Sequence, residues 1–137
     1  MTVKLPVLLL AIIAMLAGCS TPPRQPKDTG FLTKHVTTSL PVTKTYENLR
    51  QGFRYCDSAN IGSLDCKQPG KDGAVFCNVQ TNHTAGRANT LMGTMELSPA
   101  PTGTKAVLKI QTRVANSEDV LMMWEILMSG KEREVCP

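Results

Sequence analysis

The side chains in this 137-residue sequence best equipped for chemistry are five cysteines: Cys19, Cys56, Cys66, Cys77 and Cys136. A thiolate can bind zinc, attack an electrophile or exchange disulfides, and two thiols can close a bridge. The spacing sorts these options. No CxxC pair is present, which argues against both a zinc knuckle and a thiol oxidoreductase. The two histidines, His35 and His83, could act as acid or base near neutral pH, but nothing in the sequence ties either to a nucleophile and an orienting carboxylate. Asp57, Asp65 and Asp72 follow one another at spacings of 8 and 7, which matches no calcium loop. Met92 with Met95, and Met122 and Met123 with Met128, invite a copper reading. On a strand Met92 and Met95 point to opposite faces, and on a helix Met serves as adaptable core filler. No glycine-rich phosphate loop appears. The expectation is therefore a protein with no cofactor, no metal and no catalytic residues.

What must position these groups begins with the N-terminus. Lys4 precedes an apolar run from Leu5 to Ala17, broken only by Pro6 and ending in small residues. This is the layout of an export signal, and it falls short of the roughly 18–20 apolar residues that a membrane-spanning helix needs. Leu16-Ala17-Gly18-Cys19 resembles the lipobox of bacterial lipoproteins: an aliphatic residue, two small residues, then Cys. The resemblance implies that 1–18 is a signal peptide cut before Cys19. It implies, too, that Cys19 carries a thioether-linked diacylglyceryl group and an acylated amino group, palmitate among the chains. Several acyl chains exceed the two-signal threshold for stable membrane anchoring. Ser20 follows the lipidated position, where Asp favours inner-membrane retention in enterobacterial lipoproteins. Ser at that place implies the outer membrane, with the domain facing the periplasm.

Residues 19–30 then read as a lipidated flexible tether. Ser20 to Gly30 holds three Pro, one Gly and no large apolar side chain. Fully extended as polyproline II, those 11 residues reach about 30 Å.

With Cys19 committed to lipid, four cysteines remain in an exported domain, which predicts two disulfides. Cys66 and Cys77 flank a predicted hairpin, and Cys56 and Cys136 each follow a predicted helix. The favoured pairing is Cys66–Cys77 with Cys56–Cys136, and Cys56–Cys66 with Cys77–Cys136 competes with it.

The globular part is expected over 31–137. Phe31 to Thr38 reads as a first strand. Val42, Tyr46, Leu49, Phe53 and Cys56 recur at helical spacing, with the helix starting at Ser39 or Leu40 and Gly52 weakening its last turn. Ile61 to Cys66 and Ala74 to Gln80 read as a hairpin across a Pro-Gly turn region, and Thr81 to Ala88 as a polar loop. Leu91, Gly93, Met95 and Leu97 alternate with polar residues and Met92. After a turn at Pro99 to Lys105, Ala106 to Val114 alternates again. Asn116 or Ser117 caps a last apolar helix over Val120 to Met128, ending at Gly130. The expected fold is α+β: a two-layer sandwich in the order β-α-β-β-β-β-α. It has an antiparallel sheet of about four or five strands with two helices on one face. This element order resembles the helix-grip arrangement of several periplasmic lipoprotein domains, which implies nothing about activity.

Composition narrows the function. The apolar fraction is 42% overall, but Met1 to Gly18 supplies 14 of those residues and the other 119 positions only 43. The net charge is +4, with signs interleaved, and aromatics make up 4%. This gives no case for nucleic acid and only weak attraction to anionic envelope polymers. The last helix is apolar most of the way round, so Met122, Ile126 and Met128 are candidate partner contacts. The expected function is a non-enzymatic outer-membrane lipoprotein that binds another envelope component as an accessory or assembly factor. The alternative is a surface-displayed inhibitor or host-facing binding protein. A small hydrolase would require His35 or His83 in a cleft beside a carboxylate and a hydroxyl.

Overall fold

The computed structural model describes residues 30–56, 61–67, 69–70, 72–81 and 90–136. The expected export signal, Cys19, most of the expected tether, most of the expected Thr81 to Ala88 loop, Asp57 and His83 lie outside them. The chain runs β1 (Phe31–Thr38), α1 (Val42–Tyr55), β2 (Ser63–Cys66), β3 (Val75–Gln80), β4 (Leu91–Ala100), β5 (Gly103–Gln111), α2 (Ser117–Met128) and α3 (Glu132–Val135). All neighbouring strands are antiparallel, and they form one open five-stranded sheet in the order β1-β5-β4-β3-β2. The order α+β with β-α-β-β-β-β-α is thus observed, with α3 as a short addition that carries no apolar run of its own.

Alternation decides which face of the sheet is covered. Val75, Cys77 and Val79 of β3, Met95 and Leu97 of β4, and Ala106, Leu108 and Ile110 of β5 are buried together beneath α1 and α2. Their chain neighbours Phe76, Glu96, Lys105 and Lys109 point to the opposite, uncovered face. α1 contributes Val42, Leu49 and Phe53 to the core, and α2 contributes Val120, Leu121, Trp124, Leu127 and Met128.

Gly52 does not merely weaken its helix. It is where α1 meets α2: a methyl group there would lie 2.7 Å from Leu127 Cδ2. The missing side chain admits Leu127, so the propensity cost is offset by packing. Asn48, one turn earlier, donates its side-chain N–H to the Met128 carbonyl at 3.0 Å. That satisfies a carbonyl at the end of α2 that has no partner within the helix. Thr45 Oγ1 and Thr104 Oγ1 meet at 3.5 Å in the core, and Thr104 donates to the Leu40 carbonyl at 2.7 Å. Each buried hydroxyl of this knot is thereby satisfied.

Three expectations are corrected. Met92 and Met95 are both buried rather than on opposite faces. Val79 pairs with Gly93 but Gln80 with Leu91, so Met92 is an extra residue in a β-bulge, and the alternation slips by one there. Pro99 lies within β4 rather than in the turn. β3 stops opposite Leu97, so Pro99, with no N–H to give, pairs only with Thr104 of β5. The last strand ends at Gln111 rather than Val114: the Thr112 N–H makes one more bond in register, to the Gly30 carbonyl at 2.9 Å, and the Val114 N–H then turns back to the Gln111 carbonyl at 3.0 Å.

Candidate functional site

The four cysteines close two disulfides, Cys56–Cys136 and Cys66–Cys77. This is the favoured of the two pairings weighed above. The bridges have a local logic. Cys66 and Cys77 are direct cross-strand partners at the end of the β2–β3 ladder, with Cα atoms 4.0 Å apart. Cys56 follows the last residue of α1, and α3 turns the C-terminal segment back so that Cys136 reaches it. Disulfide sulfurs are not thiolates, so none of the four is available to bind zinc or act as a nucleophile. Among the described residues, no three His, Cys, Asp or Glu side chains gather closely enough to hold a metal ion.

The candidate partner contacts on α2 separate. Met122 is 50% exposed and Ile126 half-buried, but Met128 is 1% exposed and packs in the core. Met128 is therefore corrected: the helix ends beneath α1, where Asn48 holds its carbonyl, and its side chain cannot meet a partner. His35 is exposed on the uncovered face of β1, opposite Val107, and its imidazole makes no hydrogen bond or ion pair with any described residue. Asp65 is exposed on β2, and Asp72 accepts the Ala74 N–H at 3.1 Å within the turn before β3.

Sequence reasoning missed a cleft of about 500 Å³ between the C-terminal half of α1 and the segment leading into β2. Arg50, Phe53 and Arg54 form one wall, and Gly62, Ser63 and Leu64 the other. Phe53 anchors the first wall by packing against the buried Trp124 ring at 6.4 Å. Trp124 Nε1–H anchors the second by donating to the Ile61 carbonyl at 3.0 Å. Each wall also ends in a disulfide, since Cys56 lies two residues past Arg54 and Cys66 two past Leu64.

Among the described residues lining this cleft, the charged ones are Arg50 and Arg54. α1 carries a single carboxylate, Glu47, against Lys44, Arg50 and Arg54. Glu47 pairs with Lys44 at 3.8 Å. The remaining ion pairs between described residues are Lys34–Glu125 and Lys131–Glu134, and neither involves an arginine of the cleft. The Arg50 guanidinium sits 5.6 Å from the centre of the Tyr46 ring, which fixes it without neutralising it. The signal in the sequence was the Arg50-Arg54 spacing of one helical turn, flanking the buried Leu49 and Phe53. Among known proteins, no family model and no curated protein matches this chain.

Proposed function

We propose that this protein is a lipid-anchored component of the bacterial outer membrane, held by acylated Cys19, whose disulfide-bonded domain faces the periplasm. It is a non-enzymatic binding protein that engages another envelope component as an accessory or assembly factor. The observation that supports this most is how the cysteines divide. Four are consumed in two disulfides, which form and persist outside the reducing cytosol. The fifth, Cys19, is the one that completes the Leu16-Ala17-Gly18-Cys19 lipobox. Export, oxidation and lipid attachment thus require one and the same compartment.

The test is metabolic labelling with an alkyne palmitate followed by membrane fractionation on a density gradient. The expected result is a labelled protein in the outer-membrane fraction, with the label lost in Cys19→Ala. Labelling that persists in Cys19→Ala would overturn the anchor. A protein that fractionates with the cytosol and carries free thiols would overturn the whole reading.

A further inference from the structure

The cleft between α1 and β2 has a feature that a merely solvated surface does not require. Two arginines one helical turn apart line the same concavity, and neither has a carboxylate partner among the described residues. Residues four apart on a helix stand about 5–6 Å apart at Cβ, close enough for both forks to reach one ligand group. The negative end of α1 accounts for a cation at Arg54, in the last turn. It does not account for Arg50, which lies a turn further in and is held against Tyr46.

The chemistry of the walls narrows the ligand. A guanidinium fork satisfies both oxygens of a carboxylate by itself, whereas a phosphate has oxygens enough for two forks at once. The Ser63 hydroxyl, also lining the cleft, adds a neutral donor. Phe53 and Leu64 give the concavity an apolar side, and about 500 Å³ exceeds what a bare phosphate fills. The walls are braced by the Trp124–Ile61 hydrogen bond and by a disulfide at the end of each, so little ordering is required on binding.

We infer that the Arg50–Arg54 cleft binds a phosphorylated ligand, its phosphate held between the two guanidinium groups and its organic body lying against Phe53 and Leu64. The inference stands on the geometry of α1 and β2 and does not depend on lipid at Cys19. The phosphate has two natural carriers, a lipid headgroup and a sugar, and both present the same chemistry to the arginines.

The experiment titrates the mature full chain, in nonionic detergent, with three probes: inorganic phosphate, sn-glycerol 3-phosphate as a headgroup fragment, and a hexose 6-phosphate. Arginine side-chain Nε–H resonances and the thermal midpoint are both read. Arg50 and Arg54 should shift on titration, while the exposed Arg113 and Arg133 stay in place. Arg50→Gln with Arg54→Gln should weaken the ligand-induced rise in midpoint at least roughly tenfold, and Arg113→Gln with Arg133→Gln less than about twofold. The tighter of the two organic probes names the carrier. Parallel movement of all four arginines, equal losses in the two double variants, or no response to any probe at millimolar concentration would overturn the site. If the cleft variant does not fold, the comparison of the four arginines in the unaltered protein still decides. Palmitate labelling reads Cys19 alone, so the anchor and the cleft stand or fall separately.

Discussion

The two edges of the sheet are built on opposite terms. At one edge, β1 pairs with β5 over all eight residues from Phe31 to Thr38 and carries no cysteine. At the other, β2 has four residues and a partner on one side only, and both disulfides cluster around it. A long ladder repays the ordering of its strand through hydrogen bonds and side-chain packing, and a short one does not. The bridges sit where the backbone can do least for itself. The long edge is protected by another means: Lys34 faces the helix layer from β1 and pairs with Glu125 of α2. A charge directed inward from an edge strand discourages another strand from adding to it.

Breaking the comparison begins with the bridge of greatest span. Cys56→Ala with Cys136→Ala opens a link of sequence separation 80 and should cost about 4–5 kcal/mol in chemical denaturation. Cys66→Ala with Cys77→Ala, separation 11, should cost about 3 kcal/mol. Equal costs would mean that strain or local packing, not span, sets their value. Trp124→Phe removes the donor to the Ile61 carbonyl and leaves a void beside Phe53. We expect a loss of about 2 kcal/mol, with amide exchange accelerated at Ser63 and Leu64 before any change in β1. Asn48→Ala should cost about 1–2 kcal/mol and fray the end of α2, visible in the same exchange experiment. The smallest effect belongs to the long edge. Lys34→Met should change stability by no more than about 1 kcal/mol, because the pair is partly exposed, yet raise self-association in sedimentation. A large loss of stability there would show that the β1 edge depends on its ion pair as the β2 edge depends on its bridges.

The sequence made the layers legible wherever one periodicity ran without interruption. α1 was readable because its apolar residues keep helix spacing along the element, and α2 because Leu, Met and Glu dominate it and Gly130 ends it. β4 was readable except at Met92, where a bulge in a neighbouring pairing turns one more residue inward, an event that no local alternation records. The disulfide pairing was legible: flanking a hairpin predicts Cys66–Cys77, and two helices side by side predict Cys56–Cys136. What the sequence did not announce is α3, four residues long, which turns Cys136 back to α1. Met128 was misjudged because an apolar helix carries no mark of which side a second helix will cover. The cleft escaped notice because half of it is β2, and nothing in Ser63 or Leu64 tells which helix they will face.

The Cys56–Cys136 bridge also sets how the molecule would survive damage. Every peptide bond from Cys56 to Cys136 lies inside one covalent ring. A single proteolytic nick anywhere in that span yields two segments that are still one molecule, with the severed ends held to the same helices and sheet. The protein would migrate at full mass until reductant is added, and the nick would show only then. Two cuts are needed to release anything, and a second between Cys66 and Cys77 still finds both of its ends held by the shorter bridge. Tolerance to cleavage is thus written into the ring rather than into the resistance of any one loop.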